Sequence, residues 1–127
     1  MIRASDLMTH NLSWIDHQES AYAVAILMRV LKIGSVLVRH DAQIIGIVTE
    51  SDLVRKVISM NCIPEYTRVS SVMSSPLIGI EHHRPIWEVA DLMHQAGTRH
   101  LAVMKSQDVI GMVSVRDLLP PVATDEF

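Results

Sequence analysis

Two stretches of this 127-residue chain place a hydroxyl and a carboxylate three residues apart in nearly the same frame. They are IGIVTESDL at 45–53 and IGMVSVRDL at 110–118, so that Thr49 and Asp52 are answered by Ser114 and Asp117. At a strand-to-helix turn such a pair can do two kinds of work. The hydroxyl sits among unpaired N–H groups at the positive end of a helix, where an anion such as phosphate is favoured. The carboxylate, one turn in, can accept two hydrogen bonds from a vicinal diol, which is how acidic residues read ribose. Phosphate at one and ribose at the other describe a nucleotide. The same spacing is also a helix capping box, in which the acid bonds back to the cap's own N–H. Gly46 and Gly111, three residues before each hydroxyl, leave room for a backbone or a ligand to come close.

Sliding the chain by 65 residues superposes more than this turn. Met8 falls on Met73, Leu12 on Leu77, Ile15 on Ile80 and His17 on His82. Val24, Ala25, Leu27 and Met28 fall on Val89, Ala90, Leu92 and Met93, and no gap is needed from Ser5 to Leu53. This is a tandem duplication. Val24, Leu27, Met28 and Leu31 make one helical stripe, repeated by Val89, Leu92, Met93 and Ala96. Ser20 suits the cap of the first helix and Pro85 the first turn of its copy. Short β runs are expected at Ser35–Arg39 and Ile44–Val48, and again at His100–Met104 and Val109–Val113. Further strands are expected at Leu12–Ile15 and Leu77–Ile80. A second helix follows each hydroxyl, at Ser51–Ser59 and, shorter, at Val115–Leu119 before Pro120 and Pro121.

The expected fold is therefore α/β (α+β): two β-α-β-β-α repeats packed through their sheets with pseudo-two-fold symmetry. The first repeat is placed at 1–60, a linker at 61–68, the second repeat at 69–119 and a loose C-terminal tail at 120–127. Each copy is too small to bury its own apolar face well. Apolar residues make up 49% of the chain and the net charge is −3, with both signs scattered. That balance offers no electrostatic footprint for nucleic acid. Cys62 is the only cysteine, so there is neither an internal disulfide nor a thiolate zinc site. No apolar run reaches the ~20 residues of a membrane span, and the N-terminal residues lack an apolar signal region. A cytoplasmic protein without membrane partners is expected.

With these features in place, the chain resembles a tandem pair of CBS domains, the cystathionine-β-synthase-type repeat, together called a Bateman module. The repeat order, the LMT and VMS starts, and IGIVTESDL with IGMVSVRDL carry the resemblance from about Ala4 to Leu119. It implies a cytosolic regulatory module that binds an adenosine nucleotide (AMP, ADP, ATP or a related adenosyl compound) in clefts between the repeats. Asp52 and Asp117 become the ribose-binding acids, and Thr49 and Ser114 the phosphate-proximal hydroxyls.

The resemblance also implies that each cleft is completed by the other repeat, which cradles the base largely by backbone. Thr9, Ser13, Trp14, Ile33, Gly34 and Ser35 are assigned to the Asp117 cleft. Ser74, Ile78, Gly79, Ile80, Thr98, Arg99 and His100 are assigned to the Asp52 cleft. Arg99 and His100 can donate charge-assisted hydrogen bonds to phosphate, whereas Gly34 and Ser35 at the matching positions cannot. Arg116 partly compensates at the Asp117 cleft, yet the balance favours the Asp52 cleft. Asn11 departs from the family's frequent Pro, which the second copy keeps as Pro76. Trp14 can stack on a base, block the pocket, or be buried as core.

The remaining candidates are weaker. Adjacent His82 and His83 would point to opposite faces of a strand, and no His or Cys cluster has ligand spacing. No Walker loop or G-x-G-x-x-G is present. No nucleophile or acid–base constellation appears, so no catalysis, no catalytic cofactor and no metal site are expected. A stand-alone sensor is the expected function, with a homodimer formed through helices and a separate effector protein as receiver. The alternative is a ligand-independent dimerisation or interaction module.

Overall fold

The computed structural model describes residues 1–119. The tail expected at 120–127 lies outside the described residues. A short helix α1 (Ala4–Leu7) precedes β1 (Trp14–Asp16), α2 (Ala21–Leu31), β2 (Ser35–His40) and β3 (Gln43–Thr49). Helix α3 (Glu50–Leu53) then runs on as a π-helical turn, Val54–Ile58. After 3-10 turns at Pro64–Tyr66 and Val69–Ser71 come β4 (Gly79–Glu81), α4 (Ile86–Ala96), β5 (His100–Lys105) and β6 (Asp108–Ser114). A 3-10 turn, Val115–Leu118, follows. The α+β order expected from the duplication is present in both copies.

There are two three-stranded sheets, β1-β2-β3 and β4-β5-β6. In each, the first pair is parallel and the second antiparallel, and the register slips at equivalent places, Val38/Arg39 and Val103/Met104. The edge strands start later than expected. Ladder bonding to the middle strand opens with the Leu37 N–H on the Ser13 carbonyl and the Ala102 N–H on the Ile78 carbonyl. Leu12 and Leu77 therefore precede β1 and β4. The second helix of copy one also differs, because the Ser59 and Cys62 N–H groups reach back five residues to Val54 and Val57.

Helix α2 buries Val24 and Met28, while Leu31, expected on the same stripe, is exposed in the last turn. Its cap is Ser20, whose hydroxyl accepts the Ala23 N–H at 3.0 Å. In α4, Val89 and Met93 are buried, Ala96 is exposed, and Pro85 stands one place earlier than expected, at the cap itself. Both helices end in a left-handed residue, Lys32 at φ 56° and Gly97 at φ 66°. Glycine carries no Cβ penalty there, but lysine does. Lys32→Gly is expected to raise stability by about 0.5–1 kcal/mol in urea unfolding, the left-handed penalty less the extra chain entropy of glycine.

The chain forms two compact units that do not follow the repeat boundaries in sequence. One is Ser13–Leu77; the other joins Met1–Leu12 to the chain from Ile78 onward. The reason lies in the start segments. The Ala4 N–H bonds to the Arg84 carbonyl at 2.8 Å, and Thr9 exchanges two backbone bonds with Met112 in β6. Correspondingly, Ser74 exchanges two with Ile47 in β3. Each unit has its own core. Ile15, Val24, Met28, Val36, Val38, Val48, Val57 and Val69 fill one, and Ala4, Ile80, Val89, Met93, Leu101, Val103 and Val113 the other. Strands β2 and β5 are buried on both faces, since Leu37 and Ala102, between these core residues, are also closed to solvent.

Candidate functional site

In the Ser13–Leu77 unit, β3 delivers Thr49 to the cap of α3 with extended backbone, φ −114°. Three residues on, Asp52 turns back toward it. One carboxylate oxygen, Oδ2, accepts the Thr49 N–H at 2.9 Å and the Thr49 hydroxyl at 3.2 Å. The Asp52 N–H in turn donates to the Thr49 Oγ1 at 3.2 Å. The capping box is thus complete. Two further donors meet the other oxygen, Oδ1: the Ser74 hydroxyl at 3.1 Å and the Lys56 ammonium at 2.9 Å. Asp52 is buried, and the same ammonium donates to the Val72 carbonyl at 3.0 Å.

The second copy is barer. Asp117 Oδ2 accepts the Ser114 N–H at 2.7 Å and the Ser114 hydroxyl at 3.2 Å. Among the described residues, no donor meets its Oδ1. Thr9, the counterpart of Ser74, is held by its backbone to Met112 and makes no side-chain bond to Asp117. Asp117 is half-buried, and Arg116 beside it is exposed.

Of the other residues singled out by sequence, Ser74 is joined directly to Asp52. Gly34 and Ser35 stand beside Thr49: the Gly34 carbonyl accepts the Glu50 N–H at 3.1 Å, and Ser35 is the register partner of Thr49, while the Ile33 N–H bonds to the Met28 carbonyl of α2. Arg99 and His100 occupy the matching places in the other unit. The Arg99 carbonyl accepts the Val115 N–H at 2.8 Å, and His100 faces Ser114 across the ladder. Thr98 Oγ1 accepts the His100 N–H at 3.3 Å. Gly79 lies on β4, and its neighbour Ile80 is committed to the core. Gly79 and Ile80 also edge an open groove of about 470 Å³ against Trp87 and Glu88 of α4; none of the four hydroxyl or acid residues of the repeated turn lines it.

Trp14 is not core. It is 50% exposed, and the Arg39 guanidinium lies 3.9 Å above its ring. His82 and His83 are in the turn after β4, not in a strand, with ring centroids 5.4 Å apart. Among the described residues, no group of three or more His, Cys, Asp or Glu side chains is placed to hold a metal ion. No described helix is long and apolar enough to cross a membrane.

The member of this cluster that sequence reasoning missed is Lys56, which pairs with Asp52. Its signal was present: a base four residues after an acid, at the start of a helix, is a stabilising pair.

Comparison with known proteins finds the same duplication. The CBS-domain family model matches residues 4–59 and 69–122. An uncharacterized protein of Methanopyrus kandleri is 36% identical over 80% of this chain; the chain spans about half of that relative, 53% of its length. Uncharacterized protein YlbB of Bacillus subtilis is 28% identical over 99% of this chain and 86% of its own. Among solved structures, the hexameric CBS-CP12 protein of bloom-forming cyanobacteria superposes with a TM-score of 0.87 at 29% identity. That match covers 99% of this chain and 74% of the other.

Proposed function

The chain belongs to the CBS-domain family, as two copies in tandem, and from that premise we propose that it is a regulatory module sensing an adenosine nucleotide or related adenosyl compound. The observation that carries this reading is the state of Asp117. A carboxylate has about four acceptor sites, and Ser114 fills two of those on Asp117. A vicinal diol donates the two hydrogen bonds that remain. Arg116, exposed beside Asp117, is a cation suited to phosphate. The part assigned to residues of the other unit, with Trp14 and Ile33–Ser35 serving Asp117, enters through the family resemblance alone. The module binds and releases without chemistry, and acts only if the ligand favours one of its arrangements over another.

The exposed apolar side chains Tyr22, Val30 and Leu31 on α2 and Trp87 on α4 support association with further copies of the chain. The hexameric cyanobacterial neighbour is consistent with such assembly. A second reading, association without a ligand, is favoured by the capping bonds that both acids make within the chain.

Thermal-shift titration with AMP, ATP, NAD and S-adenosylmethionine separates the two. At least one should raise Tm with increasing concentration, because a ligand that binds only the folded state stabilises it. Asp117→Asn should weaken that ligand about tenfold or more, the worth of a hydrogen bond to a charged group. If none of the four moves Tm, the association reading stands.

A further inference from the structure

The two acids of the repeated turn are equivalent in sequence but differ in what already holds them. Counting donors makes the difference concrete. Asp52 receives four: the Thr49 N–H, the Thr49 hydroxyl, the Ser74 hydroxyl and the Lys56 ammonium. That number fills the acceptor capacity of a carboxylate. Among the described residues, Asp117 receives two. We infer that Lys56 is a built-in occupant of the Asp52 carboxylate, standing where a ligand's diol would bind, and that it leaves Asp117 as the acid open to ligand. The inference rests on the adenosine reading for its second half. Its first half concerns the chain alone.

Energetics favour the internal occupant. Lys56 is attached to the chain four residues from Asp52, so it competes for Oδ1 at an effective concentration that a free ribose hydroxyl does not reach. Lys56 is also fastened at a second point. Its Nζ bonds to the Val72 carbonyl at 3.0 Å, one residue before Met73 and two before the Ser74 that completes the Asp52 shell. A single side chain thereby ties the start of α3 to the segment that pairs with β3. At the position 65 residues after Lys56 the second copy has Pro121, whose side chain has no donor.

The test is a calorimetric titration of AMP into the intact chain and into Lys56→Met, with amide hydrogen exchange measured on both without nucleotide. Wild type should bind one AMP per chain, Asp117→Asn none, and Lys56→Met two. Two sites in wild type, or one still in Lys56→Met, overturns the assignment. If AMP binds none of them, the titration is repeated with ATP, NAD and S-adenosylmethionine; if all four fail, the adenosine reading falls, and exchange decides the remaining half. Several-fold faster exchange at the Ser74 amide in Lys56→Met upholds Lys56 as the fastening, and unchanged exchange overturns it. Should Lys56→Met not fold, Lys56→Leu, which also lacks a donor, carries the same comparison.

Discussion

Asp52→Ala is expected to destabilise the chain by about 2–3 kcal/mol, against about 1 kcal/mol for Asp117→Ala. Both changes remove a cap, which is worth about 1 kcal/mol. Each also leaves the cap's own N–H, of Thr49 or Ser114, without its carboxylate. At buried Asp52 that group is left in enclosure, where an unsatisfied donor costs about 1–3 kcal/mol, whereas at half-buried Asp117 water replaces the acid more readily. Ser74 is exposed, so its released hydroxyl also turns to water. The ion pair adds little, because the Lys56 side chain is 43% exposed and turns to water when released. The larger penalty for breaking a fully buried pair, about 3–5 kcal/mol, does not apply. Urea unfolding of the two variants side by side measures the difference. Equal losses would mean that the enclosure of Asp52 contributes nothing, and that both acids are plain caps. Repeating the measurement with saturating AMP separates the two roles: the Asp52→Ala loss should not change, while Asp117→Ala should forfeit the ligand's stabilisation as well.

Gly46→Ala should cost about 1–3 kcal/mol, the range for forcing extra volume into a packed site. A Cβ at Gly46 would stand 2.8 Å from the Ser74 carbonyl oxygen and 2.9 Å from the Met73 sulfur. The sulfur can swing aside. The carbonyl cannot, because Ser74 is bonded to Ile47 through both its N–H and its C=O. At Gly111 the closest atoms are the sulfur and Cγ of Met8, at 2.5 and 2.8 Å, with its Cβ at 3.0 Å. No backbone carbonyl is among them, so Gly111→Ala should cost less. The expected sign of failure is a Gly46→Ala variant with wild-type midpoint and unchanged exchange at the Ser74 amide. The room left by these glycines is taken by the start segments of the chain itself.

The duplication and its elements were legible because they rest on short-range patterns. The i, i+3, i+4 stripe located α2 and α4, and alternation located β2, β3, β5 and β6. The capping alternative was legible too, since its spacing is visible in a tetrad. What stayed hidden depends on distant partners. Lys56 precedes the carbonyl it binds by 16 residues, and nothing in its surroundings names Val72. The membership of the start segments was equally silent. Met8 and Met73 are interchangeable by type, each beside a strand glycine, so similarity between copies cannot tell which sheet a given segment joins. Trp14 was ambiguous because aromatic size suggests burial. Its place next to buried Ile15 on a strand argued the opposite, since neighbours in a strand face opposite ways.

The crossing of start segments bears on how the chain comes off a ribosome. Once residue 77 has emerged, every residue of the Ser13–Leu77 unit exists and that body can close. The first twelve residues have partners only beyond that body: Ala4 waits for Arg84, and Thr9 for Met112 in β6. Vectorial synthesis thus completes the Ser13–Leu77 body first and leaves the segment before it to be paired in two steps, by residues 82–86 and then by β6. A gene split between the two sequence repeats would therefore yield two fragments, each carrying the other's clasp.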